Sequence, residues 1–485
     1  MGDRVVSRRT AMAGGVAGLG ALALGVPWPD AGAAENRPNI LVIMTDDQPL
    51  ESMRVMTNVQ RLLADRGTTF TNSFCSWPVC SPSRATMLTG QYAHHHGVFG
   101  NEPPFGGVDR LDATNTVAVW LQQAGYHTAM LGKYINHYDE LGRADPAQIP
   151  PGWTDWNGRV SGDGYRNTIL NQNGTLVSYQ GEYQTDVYAD KAADIVRHAA
   201  AGDRPFFAWI NFFAPHFGTP REPDDPGTSG DGLGPAVADR YRDAFASEPL
   251  PTPPSFNEAD VSDKPRFIQN RPLLSEATQA AMRERYQQQL ESLLSVDEAI
   301  GQLLDALDQT GQADNTLVVF TSDNGHFHGQ HRIPSEKFFL YDPASRVPLI
   351  LRGPGIPAGA TRDQLVANID LAPTFVQAAR ATAQLPLDGR SLLQLARNPQ
   401  VAQGRPILLE GHPFRGPMLS TAVRTPHFQY TEVFPTDDGP PETELYDMRN
   451  DPHQLTSRHN DPNYADTAAE LAELLQSLRT PQPPS

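Results

Sequence analysis

Cysteine is nearly absent: 485 residues contain only Cys75 and Cys80. A disulfide framework is thereby excluded, leaving one small Cys75–Cys80 loop as the available bridge. A thiolate zinc site has equally little to draw on, with Cys75, Cys80 and the run His94-His95-His96 as its candidate set. Lysine is scarce too, limited to Lys133, Lys191, Lys264 and Lys337, so each one carries more information than usual. Positive charge is outweighed throughout, and a net charge of −18 argues against nucleic acid or an anionic membrane surface as a partner. No segment has the roughly 20 apolar residues a membrane span needs; Ala11 to Val26 is an apolar run of only about 16, rich in glycine. No internal repeat is visible.

The rest of the composition, 39% hydrophobic with 43 prolines and 40 glycines, describes a loop-rich globular protein with a sizeable core. Ser7-Arg8-Arg9-Thr10 is a twin-arginine pair ahead of the apolar run, and Ala31-Gly32-Ala33 offers small residues for a signal peptidase. Residues 1–34 therefore predict an export signal and a secreted, periplasmic or cell-surface protein without stable membrane insertion. That route carries folded proteins, so a modified residue can be installed before export.

Buried strands alternate with helices beyond this signal. "NILVIM" from Asn39, "FFAWINFF" from Phe206 and "TLVVF" from Thr316 are continuous apolar runs, as expected of parallel strands covered on both faces. Helices are predicted over Thr116 to Ala124 and over "SVDEAIGQLLDALDQTG", where Val296, Ile300, Leu303, Leu304 and Leu307 share a face and Gly311 is the stop. The fold class predicted is α/β, a large, mostly parallel sheet flanked by helices, occupying residues 35–380. Within it, 217–275 is a Pro-, Gly- and Asp-rich insertion, read either as the rim of a site or as a solvated excursion. Residues 381–485 predict a smaller α+β subdomain with an antiparallel sheet ("ILLEG", "STAVRT", "FQYTEVF") and a frayed tail from Pro481.

Ligands of parallel α/β sheets bind at the carboxyl ends of the strands. Two of these strands run into Asp46-Asp47 and Asp323-Asn324, and the third into Ala214-Pro215-His216. Asp and Asn often follow strands simply as turn residues. Paired on two buried strands, however, they predict oxygen ligands for a hard divalent cation, calcium or magnesium. In "PVCSPSRATMLTG", Ser81 can cap a helix that Pro82 opens and Gly90 closes, putting Cys80 at a helix N-terminus with Arg84 one turn on, able to reach back to an oxyanion.

The run Cys80-Ser81-Pro82-Ser83-Arg84, continuing to Gly90, resembles the signature of the formylglycine-dependent sulfatases of the alkaline-phosphatase superfamily. "LGKYINHY", "SFNEADVSDKP", "TSDNG" and "VPLILRGPGI" resemble more narrowly the N-acetylglucosamine-6-sulfatase-like group. The resemblance implies an alkaline-phosphatase-like fold and conversion of Cys80 to formylglycine by a formylglycine-generating enzyme. It also implies a calcium ion (magnesium as the variant) held by Asp46, Asp47, Asp323, Asn324 and residue 80. Arg84, Lys133, His216 and Lys337 fall where the family binds sulfate and moves protons, on a sulfated small molecule or carbohydrate. One departure is Ile135, where many sulfatases have a histidine; His137 is nearby and reads as a surface residue. The alternatives are a phosphonate or phosphate ester hydrolase using the same formylglycine, and a non-catalytic calcium-stabilised glycan binder.

Overall fold

The computed structural model describes residues 37–479, apart from 162–163, 224, 226–233, 402, 412–419 and 435–438. The predicted export signal and the tail from Pro481 lie outside the described residues. A ten-stranded sheet forms the centre. Five of its strands run parallel in the spatial order β5 (Thr316–Ser322), β1 (Asn39–Thr45), β4 (Phe206–Asn211), β2 (His127–Gly132) and β3 (Asp155–Arg159). β6 (Leu349–Arg352) pairs antiparallel with β5. The sheet is mixed towards both edges and parallel where the apolar runs lie.

Those runs are continuous because helices cover both faces. On one face Leu41, Ile43, Leu131, Ile210 and Phe320 meet the helices Gln184–Ala200 and Glu276–Gln309, through residues such as Tyr188, Val196, Leu290, Ile300 and Leu303. On the other, the helices Val117–Gln123 and Leu371–Ala379 pack together, and Phe207 of β4 meets Phe375. Each fully buried Leu, Ile or Phe contributes roughly 1.5–3 kcal/mol, so this double layer holds the strand ends in a rigid frame. Among the described residues no helix is long and apolar enough to cross a membrane.

The second, smaller sheet has four antiparallel strands, Ile407–Gly411, Ser420–Arg424, Phe428–Val433 and Glu442–Asp447, covered by Leu471 and Leu475 of the helix Ala465–Arg479. The described residues of the 217–275 insertion include one short helix, Arg266–Gln269, and alternate exposed stretches with buried anchors. Ala236, Ala238 and Leu250 join the main core, and the buried Lys264 amine donates to the Leu455 carbonyl.

Glu444 ties the small sheet to the segment before the helix Asp342–Ser345: its Oε1 accepts from the hydroxyls of Tyr341 (2.7 Å) and of Tyr446 on its own strand (2.5 Å). Burial pushes its carboxyl up to about 7, against the lowering effect of those hydroxyls and of Lys264. In the unfolded chain the group ionises near 4.5. Between those two values the folded state keeps a proton the unfolded chain has lost, so this contribution to stability declines as pH rises through the window and is flat above it. Glu444→Gln keeps an acceptor and has no proton to lose. Its melting temperature relative to wild type is expected to be higher at pH 8 than at pH 5, by on the order of a few degrees, in scans at the two pH values.

Candidate active site

The helix α1 (Cys80–Thr89) begins after Val79, whose extended backbone (φ −150°, ψ 142°) makes it the N-cap in place of the predicted Ser81. Ser81 serves another purpose: its hydroxyl donates to Asn136 Oδ1 (2.9 Å), tying the start of α1 to the loop after β2. Gly90 ends the helix in the left-handed region at φ +69°, as its position in the sequence predicts. All ten residues are buried, so Cys80 and Arg84 enter the site from a helix with no freedom to move aside.

Strand register supplies the remainder. Thr45 of β1 lies beside Ser322 of β5, so Asp46-Asp47 and Asp323-Asn324 emerge side by side. Gly132 lies beside Asn211 and beside Gly158, so Lys133 emerges between β4 and Arg159. Gly132 itself has φ +95°, and a Cβ there would lie 2.0 Å from the Asn211 carbonyl oxygen; only glycine lets the chain turn Lys133 inward.

The predicted residues converge. Arg84 Nε donates to Asp323 Oδ2 (2.8 Å) and another guanidinium nitrogen to Asp46 Oδ2 (3.2 Å), with further bonds to the Lys133 carbonyl (2.8 Å) and Asn211 Oδ1 (3.2 Å). Lys133 Nζ is 2.5 Å from Asp46 Oδ2. Lys337 Nζ is paired with Asp47 Oδ1 and is 3.0 Å from Cys80 Sγ. His216 Nε2 lies 3.8 Å from Asp47 Oδ2, and its Nδ1 donates to the Phe217 carbonyl (2.8 Å), which leaves Nε2 facing the cluster. Arg84 therefore differs from its expected placement: its guanidinium is engaged by two carboxylates.

Three carboxylates, Asp46, Asp47 and Asp323, are thus matched by three cations, Arg84, Lys133 and Lys337. Burial alone would raise Asp46, but Lys133, His216, Arg84 and Lys337 outweigh it and hold the group well below the usual carboxylate range. Burial and the neighbouring Asp46 push Asp323 up to about 6. Burial lowers His216 to about 4, against Asp47 and Asp46, so the imidazole is neutral at pH 7. The Cys80 thiol is pushed up to about 11, by burial first and Asp46 second. It is a poor thiolate nucleophile as it stands.

The donor set fits a hard divalent cation. Single oxygens of Asp46, Asp47 and Asp323 lie within 4.8 Å of one another. Asn324 Nδ2 donates to Asp47 Oδ1 (2.7 Å) and to the Gly325 carbonyl, while the buried Asn324 Oδ1 has no hydrogen-bond partner. A buried amide oxygen left this way, beside three carboxylates, is what a metal ligand requires.

The alternatives based on cysteine do not assemble. Both cysteines are free thiols, and Cys75 bonds the Trp77 carbonyl. His94 pairs with Glu410, His95 with Asp388 and His96 with Thr86, so the histidine run braces the segment after α1 instead of joining a zinc site. His137 pairs with Glu102 and Glu140 at the surface. A small cleft opens beside Lys133 and His216, lined also by Ile135, Asp139, Arg159 and Phe213.

Two residues at this edge escaped the sequence reading. Asn211 is the one polar side chain in "FFAWINFF", an interruption of an apolar run that could have marked it. Arg159, whose guanidinium sits 4.0 Å over the Phe213 ring, follows an unremarkable "DWNG", and nothing in the sequence distinguishes it.

Comparison with known proteins accords with this geometry. The sulfatase family model matches residues 38–381, and the family described as N-sulphoglucosamine sulphohydrolase, C-terminal, matches residues 329–481. An extracellular sulfatase SULF-1 homolog of Drosophila melanogaster is 33% identical over 390 residues, 77% of this chain and 33% of its own length. The N-acetylglucosamine-6-sulfatase of Homo sapiens is 31% identical over 377 residues, 75% of this chain and 65% of its own. The chain thus spans less than two thirds of the length of these relatives. A structure solved in complex with its substrate D-glucosamine-2-N,6-O-disulfate superposes with a TM-score of 0.73 at 25% identity, over 91% of this chain and 97% of that one. With the signature helix, the paired carboxylates and the two site lysines all on one sheet edge, the chain belongs to the sulfatase family.

Proposed function

We propose that the protein is an exported, calcium-dependent sulfuric ester hydrolase that cleaves an O-sulfate ester of a carbohydrate. The observation that carries this reading is the charge balance around Cys80. Three carboxylates and three cations cancel, so a divalent cation among them makes the site two charges positive and turns it into a receptor for an anion. Asp46, Asp47, Asp323, Asn324 and residue 80 would hold calcium, which would supply Lewis-acid polarisation of a sulfuryl oxygen. Formylglycine, made from Cys80 by a generating enzyme, supplies an oxygen nucleophile that the neutral buried thiol does not.

The chain's own residues account for the rest. Lys337 and Lys133 point their ammonium groups at the nucleophile and at Asp46, where charge on the sulfuryl oxygens develops. Arg84 fixes Asp46 and Asp323 as a positioning residue. The Phe217 carbonyl holds the His216 Nδ1 proton, so that the Nε2 lone pair faces the leaving oxygen, and a proton taken up from solvent at Nε2 as the anionic ester binds would be the one passed to that oxygen. The rigid strand ends limit reorganisation during the reaction.

The relatives named N-acetylglucosamine-6-sulfatase, and the neighbour solved with a disulfated glucosamine, favour a sulfated amino sugar as substrate. A net charge of −18 favours a small or sparsely sulfated one over a long polyanion. Arg8-Arg9 and relatives named extracellular support a secreted, periplasmic or cell-surface location.

The test is an assay of protein confirmed to carry the aldehyde against sulfated sugars, aryl and alkyl sulfates and matched phosphate esters. Sulfate release from an amino-sugar sulfate is expected, falling about tenfold or more on chelation and recovering with calcium. Faster cleavage of the matched phosphate ester, or activity indifferent to chelation, overturns the reading.

A further inference from the structure

Phe217 follows His216 directly and is one of five large hydrophobic residues exposed among the described residues, with 42% of its surface open. Its ring stacks on the His216 imidazole at 4.3 Å between centroids and 27° between planes, while Phe213 lies against the same imidazole at 4.6 Å. The two phenyl groups differ in surroundings. Phe213 is 1% exposed and carries the Arg159 guanidinium over its face, so it belongs to the core. Phe217 is presented to solvent beside the one site residue that faces the leaving oxygen.

The packing this ring makes is its stack on the His216 imidazole, and its other face is open. It adds nothing to the core, and its carbonyl, the part that His216 uses, is available from any residue. A phenyl face does suit the carbon skeleton of a ring-shaped alcohol, whose C–H groups it covers while its hydroxyls turn to water. We propose that Phe217 is a specificity residue: a platform on which the sugar ring of the leaving alcohol lies as His216 Nε2 meets the ester oxygen. This deepens the sulfatase reading and rests on it. It assigns the sugar to the Phe217 side of the imidazole and the sulfate to the Lys133, Lys337 and Cys80 side.

The experiment compares wild type, Phe217→Ala and Phe217→Trp, each with its aldehyde content measured. The substrate is N-acetylglucosamine 6-sulfate, and inorganic sulfate is the competitive inhibitor. Sulfate has no carbon skeleton and does not reach the platform. Phe217→Ala is expected to lower kcat/KM about tenfold, chiefly through KM, with the inhibition constant of sulfate unchanged within about twofold. Phe217→Trp restores the ring face and is expected to stay within about threefold of wild type. An unchanged KM in Phe217→Ala overturns the platform. So does a matching loss of sulfate affinity, which marks collapse around His216, or a tryptophan variant as poor as alanine. If wild type releases no sulfate from any ester, the sulfatase reading fails and the platform with it; the other outcomes strike the platform alone.

Discussion

Cys80→Ala is expected to abolish sulfate release, by about 10⁴-fold or more, while the protein stays folded and still binds a divalent cation. The thiol is fully buried and small, so its removal deletes little packing. Lys337, which loses the sulfur at 3.0 Å, keeps its pairing with Asp47. Asp46, Asp47, Asp323 and Asn324 are untouched, so calcium is expected to raise the melting temperatures of the variant and of wild type alike. The loss of rate is then chemical rather than structural. Cys80→Ser separates the role of an oxygen from that of an aldehyde: a serine oxygen can attack but has no second hydroxyl through which to release sulfate, so at most one equivalent should turn over. Mass spectrometry of the peptide containing residue 80, from the native host, completes the test. An intact thiol in fully active wild type, or wild-type rates in Cys80→Ala, overturns the nucleophile assignment; an intact thiol in protein from the native host that releases no sulfate leaves the calcium-stabilised glycan binder as the better account.

Much of this frame was legible in the sequence because the relevant signals are local. An apolar run bounded by acidic residues marks a buried strand and its carboxyl end at once, which is how β1 and β5 announced Asp46-Asp47 and Asp323-Asn324. A signature of adjacent residues likewise places Cys80 and Arg84 on one helix. What escaped depends on tertiary context. The helix Glu276–Gln309 is twice the length its apolar period predicts, since its first half buries Arg285, Gln287, Gln288 and Gln289 through polar partners such as the Glu248 carbonyl. Arg159 became a site residue only through strand register, which brings it beside Lys133. The capping role expected of Ser81 failed for a related reason: Asn136, distant in sequence, competes for the hydroxyl.

The sharpest difference between sequence and structure concerns Arg84, and it yields the prediction with the largest effect on stability. A guanidinium one turn behind a helix N-terminus looks placed for an anionic ligand, yet here it is wholly buried and spans Asp46 and Asp323. Removing it leaves three carboxylates opposed by Lys133 and Lys337 alone. Breaking a buried charge cluster by deleting one partner costs about 3–5 kcal/mol, because the remaining charge stays desolvated. Arg84→Ala is expected to lose that amount of unfolding free energy in the presence of a chelator, as read from denaturant titration. Arg84→Lys is expected to recover little, since a single ammonium cannot reach both carboxylates and the Lys133 carbonyl as the forked guanidinium does. A divalent cation bears on the same carboxylates, so added calcium should narrow the gap to wild type by more than it stabilises wild type itself. If Arg84 instead served chiefly to hold the sulfate, its loss would leave stability in chelator within about 1 kcal/mol of wild type and would appear only as weaker inhibition by inorganic sulfate. The geometry favours the first outcome, in which the arginine builds the cation site and the two lysines meet the substrate.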